Sequence, residues 1–381
     1  MEGPANALEL IETLRRKNGK EFQNFSQISQ YLGLKAREKG TPVSCQFELT
    51  PLCNFSCKMC YVHLNPEQMN GQSVLSVDTW KNLMYQAWEA GMLQAILTGG
   101  ECLAYPGFDE LFLYLHSLGC EVSVLTNGFL LDAKRIQFFQ EHKPSRIQIT
   151  LYGPNDDVYE RVTGVRAFHT VTNNARKAIE AGLPVSINLT PNSFLGEDVL
   201  ETLRIAKEIC KAVTVNSCIF APRKETGRGE QKDDPETELY LRIYHLLDEL
   251  NGLETKEIAE EKLPPTGSSK HECDEKGLLC GAGRSGFVMD WKGTMIPCNR
   301  LEIIRAYPLR DGFKAAWMKI NQEANQWPRV PECEDCVYHD VCNNCAGNML
   351  RFAEPGQLPM MLCKQTKQFV SHGVRHISEC G

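Results

Sequence analysis

"CNFSCKMCYV", residues 53–62, sets cysteines at positions 53, 57 and 60. Three thiols do not close into disulfides, and a structural zinc normally takes four ligands in a closed tetrahedron. Three thiolates on a four-iron cluster leave one iron without a protein ligand, and an open metal position is where chemistry can happen. The plain alternative is that spacings of four and three mark one buried helix face. Pro51 and Asn54 argue against it, because they make the segment a loop.

The whole chain supports a metal role. It carries 17 cysteines in 381 residues. Its start, "MEGPANALELIETLRRKNGK", has an acidic second residue and no apolar run after a basic start, so it does not make a secretion signal. No uninterrupted apolar stretch approaches the eighteen or so residues that a membrane crossing needs. The thiols are therefore expected in a reducing cytoplasm, as metal ligands or catalysts rather than cross-links. A hydrophobic share of 42% supplies a full core. A net charge of −7 argues against a nucleic-acid surface, which needs a basic field.

Outward from the thiols, short apolar runs alternate with amphipathic ones. Strands are predicted at "VSCQFEL" (43–49), "LQAILTGG", "CEVSVLTNG", "SRIQITLYG", "LPVSINLTP" and "KAVTVNSCIF". Helices are predicted between them, the first capped by Ser76 and closed at Gly91, the second closed at Gly119. Strands that alternate with helices pair in parallel, so this is an α/β fold with a partial (β/α)6 barrel of the TIM type. Six units fall short of the eight that close a full barrel. The predicted division is a helical segment over 1–42, the barrel over 43–221, a linker and helix over 222–268, and a cysteine-rich extension over 269–381. In such a barrel the loop holding Cys53, Cys57 and Cys60 lies at the C-terminal end of the first strand, where βα loops build active sites.

The second strand ends in "LTGGEC". Gly99 and Gly100 allow a backbone to approach a ligand closely, and Glu101 is placed to receive a positive group. With the thiol loop one β/α unit earlier, the chain resembles the radical S-adenosylmethionine (SAM) enzymes. In that family C-x3-C-x2-C holds a 4Fe–4S cluster whose open iron is chelated by the amino and carboxylate groups of SAM. GGE meets the amino group, and the cluster's electron breaks a C–S bond to give a 5′-deoxyadenosyl radical that takes hydrogen from substrate. The resemblance assigns Cys53, Cys57 and Cys60 to the cluster and Gly99, Gly100 and Glu101 to SAM. It further implies that Thr150 in "ITLYGP" faces SAM, that Arg161 in "DVYERVTG" meets its carboxylate, and that Asn127 in "LTNG" lines the pocket. Met59 stands where an aromatic residue is usual, and the family's GxIxG-type fifth-strand motif is not visible in "VSINLT".

From 273 to 363 the chain reads C273-x6-C280-x17-C298, C333-x2-C336-x5-C342-x2-C345 and C363, eight cysteines in all. Alone, that pattern suits zinc as well as iron–sulfur clusters. Joined to a radical SAM barrel it resembles the SPASM extension, in which "GTMIPC" (293–298) belongs to a hairpin and two auxiliary 4Fe–4S clusters are bound. The resemblance implies Cys273, Cys280, Cys298 and Cys345 for the first auxiliary cluster, and Cys333, Cys336, Cys342 and Cys363 for the second. The last spacing is x2 where relatives commonly show x3, which bears on Cys345, and Cys273 as a free thiol is the alternative.

SPASM relatives mostly act on peptides or proteins. The expected function is therefore maturation of a ribosomally synthesised peptide by a thioether or C–C cross-link. Alternatives are peptide epimerisation, small-molecule or redox-cofactor biosynthesis, and anaerobic sulfatase maturation. Asn299 weighs against the last, because an Asp base follows the "PC" cysteine in those enzymes and an amide takes no proton. Cys218, at the end of the sixth strand, is a candidate hydrogen-atom donor, with Cys102 and Cys380 as further thiols of interest. The implied partners are a leader-containing precursor peptide, a flavodoxin or ferredoxin-type electron donor and, since the N-terminal forty residues are short for a leader-binding module, a separate leader-binding protein. A zinc-stapled scaffold or an electron carrier is the non-enzymatic alternative.

Overall fold

The computed structural model describes residues 25–216, 236–252, 277–339 and 341–372. The predicted rhythm appears as a parallel series: β1 (Ser44–Glu48), α2 (Val77–Glu89), β2 (Gln94–Thr98), α3 (Phe108–Ser117), β3 (Glu121–Thr126), α4 (Ala133–Glu141) and β4 (Arg146–Leu151) come first, after an N-terminal helix α1 (Phe25–Lys39). They are followed by α5 (Asp156–Thr163), α6 (Phe168–Glu180), β5 (Val185–Leu189), α7 (Asp198–Ile209) and β6 (Val213–Val215). Helices α2, α4 and α5 start where a side chain satisfies an orphan N–H. Ser76 accepts from the Thr79 amide, Asp132 from Arg135 and Asn155 from Val158. After α3 and α6 the chain turns at Gly119 and Gly182, both at positive φ that L-residues avoid.

Along the strands, alternate residues point to the helices and to the barrel interior. Cys45 and Phe47 on β1 are wholly buried, and Phe47 meets Trp80 of α2 edge-on at 6.0 Å. Burying an aromatic side chain of this kind contributes about 3 kcal/mol.

Two features go beyond the six-strand expectation. The first is α5, eight residues inserted between β4 and α6. The second is a continuation of the sheet. Strand β7 (Gly286–Met289) lies parallel to β1, and β8 (Met295–Ile296) returns antiparallel to β7. The order is β6-β5-β4-β3-β2-β1-β7-β8. Gly286 is required here, because a Cβ would lie 2.2 Å from Ser44 O. The hairpin expected around 293–298 is present, its turn held by Asp290 Oδ1 accepting from the Lys292 and Thr294 amides. The extension therefore shares the barrel's sheet and core: Phe287 packs on Phe47 and on Trp317 of α9 (Phe313–Asn325). At the opposite edge α8 (Thr237–Leu250) meets Phe369 of the last helix, α10 (Met360–Ser371), through Tyr240 and Tyr244. Among the described residues no helix is long and apolar enough to cross a membrane.

Candidate active site

The loop after β1 is fixed by main-chain bonds on two sides. On one, the Gly100 and Glu101 amides donate to Thr50 O (2.6 Å) and Leu52 O (2.9 Å). The chains approach so closely that a Cβ on Gly99 would lie 2.4 Å from Thr50 O and one on Gly100 2.4 Å from Leu52 O. On the other, the Ser56 and Lys58 amides donate to Thr163 O and Val162 O, carbonyls that the end of α5 leaves without helical partners. Phe55 anchors the loop between Phe129 and Tyr159.

This frame brings Cys53, Cys57 and Cys60 together. Burial raises the Cys57 thiol well above its ordinary pKa, and the charges of Cys60 and Cys53 raise it further. Burial, then Glu101, pushes Cys53 up to about 12. Bare thiolates would repel one another here, whereas iron displaces their protons and supplies the compensating charge. Donors are already in place for sulfur anions: the Phe55 amide and Asn127 Nδ2 on Cys53 (3.3 and 3.6 Å), the His63 amide on Cys60 (3.3 Å), and the Tyr152 hydroxyl on Cys57. The donor set fits a cluster with one open corner.

Glu101 is fully buried and its carboxylate is filled from within, accepting from Thr126 Oγ1 (2.8 Å), the Asn127 amide (2.8 Å) and the Leu103 amide (3.0 Å). Burial raises its pKa and these bonds oppose the rise. The carboxylate also acts as a strut between the loops after β2 and β3. Gly99 and Gly100 likewise make room for the thiol loop's own backbone.

The C-terminal thiols fall into two sets. Burial pushes Cys298 up to about 12, followed by the charges of Cys345 and Cys280. Cys333 is pushed up to about 11 by burial, then by Cys342, Cys363 and Cys336. Cys280, Cys298 and Cys345 gather in one place and Cys333, Cys336, Cys342 and Cys363 in another; Cys345 joins the first set despite its shortened spacing. Thr366 Oγ1 donates to Cys342 Sγ at 3.2 Å. Cys273, Cys218 and Cys380 lie outside the described residues. Among the described residues no three His, Cys, Asp or Glu side chains close tightly enough to hold a single ion.

Residues 47–209 match the radical SAM superfamily. That segment is a radical SAM domain. It is 26% identical over 322 residues to an AdoMet-dependent heme synthase of Methanosarcina barkeri (strain Fusaro / DSM 804), covering 78% of this chain and 89% of that one. It is 25% identical over 269 residues to the PqqA peptide cyclase of Ruegeria pomeroyi (strain ATCC 700808 / DSM 15171 / DSS-3), covering 69% of each. Its fold is similar to that of Streptococcus suis SuiB bound to precursor peptide SuiA, with TM-score 0.67 and 15% identity over 93% of this chain and 87% of SuiB. That likeness extends through the cysteine-rich region, so the fold is a radical SAM partial barrel with a SPASM-type extension.

Within the radical SAM barrel the remaining expected residues divide. Thr150 is half-buried on the interior face of β4, opposite in direction to Ile149 and Leu151 and paired in register with Asn188. Met59 is buried in the core. Arg161 sits on α5 with its guanidinium paired to Asp198 and donating to the carbonyls of Phe194 and Leu195. Cys102 is wholly buried and donates to Leu125 O, facing the barrel wall. Tyr152, by contrast, carried no signal beyond its place just past the end of β4, yet its hydroxyl faces all three N-terminal thiols.

Proposed function

We propose that this radical SAM enzyme matures a ribosomally synthesised peptide, closing a thioether or C–C cross-link. When bound, a 4Fe–4S cluster and SAM supply a 5′-deoxyadenosyl radical that takes hydrogen from the substrate. The chain's own part is positioning. Cys53, Cys57 and Cys60 hold the cluster, and the Gly99–Gly100–Glu101 turn fixes their loop and presents backbone to the SAM amino group. Thr150 faces SAM from the interior of β4. Arg161 enters as a brace between α5 and the loop before α7, from which its guanidinium must be released to meet a carboxylate. Cys280, Cys298 and Cys345 with Cys273 hold one auxiliary cluster; Cys333, Cys336, Cys342 and Cys363 hold the other. Together they would take up the electron released on ring closure.

The observation that carries this reading is the second cysteine field, two separate thiol sets on an extension that shares the barrel's sheet. Among the relatives it is accompanied by a peptide cyclase and a protein solved with its precursor peptide. The heme synthase likeness favours a second reading, cofactor biosynthesis. Anaerobic incubation with SAM, reductant and a short peptide encoded beside the gene separates them. Loss of two hydrogens from the peptide supports cross-linking, and an unchanged mass with a new D-residue supports epimerisation. A peptide left intact, with 5′-deoxyadenosine formed only on a tetrapyrrole, moves the assignment to cofactor synthesis. Iron analysis checks the cluster count, with about twelve irons per chain expected for three clusters.

A further inference from the structure

We infer that Asn127 acts on the iron–sulfur ligand Cys53, favouring the reduced state of the cluster, and does not bind SAM. The inference rests on the cluster assignment at Cys53, Cys57 and Cys60 made above, and on the hydrogen-bond capacity of one side chain. A carboxamide offers two donor hydrogens and one acceptor oxygen. In Asn127 one N–H meets Asn54 Oδ1 at 2.7 Å and the other meets Cys53 Sγ at 3.6 Å. The oxygen accepts from the Phe129 amide at 3.0 Å. The main chain is pinned as well, its amide donating to Glu101 Oε2 at 2.8 Å. The residue is buried, so no donor is left to turn toward a ligand.

A donor fixed on a ligand sulfur has a definite consequence. An electron added to the cluster raises the negative charge on its sulfurs, and a rigid N–H dipole stabilises that form more than the oxidised one. The same dipole in water would be replaced by solvent; here it is shielded and acts at full strength. Glu101 is the other half of the device. Its carboxylate raises the energy of negative charge on Cys53, and the Asn127 amide that binds Glu101 carries the side chain that opposes this effect. Asn127 is thus a positioning residue.

The test is an EPR-monitored redox titration of the full-length, anaerobically reconstituted holoprotein, following the signal that SAM alters. Asn127→Leu keeps the side chain's size and removes both donors. At the wild-type midpoint its reduced-to-oxidised ratio should fall about tenfold, equal to about 59 mV for one electron, with iron per chain unchanged. Asn127→Asp keeps the acceptor for Phe129, loses the donors and adds charge, so its midpoint should fall further. Full iron with an unmoved midpoint in either variant overturns the inference. Loss of iron from both overturns it too, since Asn127 would then serve assembly alone. A wild-type protein without any SAM-sensitive signal would instead refute the cluster assignment beneath it.

Discussion

The barrel's thiols and the C-terminal thiols are held in place by different means. Around Cys53, Cys57 and Cys60 the backbone does the holding: two glycines, two carbonyls at the end of α5 and Phe55 fix the loop. Around the C-terminal sets the backbone forms only short turns, Pro331–Glu334 and Ala346–Met349, before α10. Their satellite core has three buried members, Leu278, Leu301 and Ala324. So small a core does little to offset the cost of ordering the segments around those thiols, where metal held as proposed would contribute. On the proposed ligand assignment, the same chemistry would serve the reaction in one region and folding in the other.

The largest effect expected from this contrast is at the barrel site. Replacing Cys53, Cys57 and Cys60 together by Ala should abolish 5′-deoxyadenosine formation and leave the circular dichroism of the barrel intact. A variant that still cleaves SAM would remove the basis for the contrast. Next comes iron removal. A chelator under reducing conditions should strip hydrogen-exchange protection from residues 331–363 while β1 to β5 keep theirs. Equal loss in both regions would mean that the barrel depends on metal as well.

How much of this was legible beforehand depended on the range of the interaction concerned. Alternating burial and glycine stops are local, so β1 to β5 and their helices could be read directly. The pairing of Gly286–Met289 with β1 joins segments about 240 residues apart (Ser44↔Gly286) through four residues of strand, too short for periodicity to mark. Helix α5 is only eight residues long, too short for its periodicity to stand out. Gly99 and Gly100 signalled a close approach correctly, but the sequence does not say what approaches. The partners that hold Glu101 were not legible, because Thr126 and Asn127 reach it only after a further β/α unit has folded back.

A smaller effect is expected at Gly100→Ala. The added Cβ would press on Leu52 O and Pro51 O, both main-chain atoms that cannot swing aside. Overpacking of this kind costs about 1–3 kcal/mol, to be read by urea denaturation of the iron-loaded protein. Activity should fall by more than stability accounts for, since the displaced backbone is the one leading into Cys53. Equal stability in wild type and variant would show that the loop yields, and that the barrel site is less rigid than its contacts imply.

The smallest effect on stability is expected at Arg161, where the outcome decides between a brace and a ligand. Its pair with Asp198 is half-exposed (48% and 40%), and such surface pairs contribute at most about 1 kcal/mol. Arg161→Ala should therefore shift the unfolding midpoint little. If the guanidinium stays with Asp198 during turnover, KM for SAM is unchanged and Asp198→Ala behaves like Arg161→Ala. If it leaves Asp198 to meet the SAM carboxylate, KM for SAM rises in Arg161→Ala alone, while Asp198→Ala leaves the arginine free and lowers it. The two variants move KM in opposite directions only when Arg161 has a second partner, so the pair of measurements separates the roles without a bound structure.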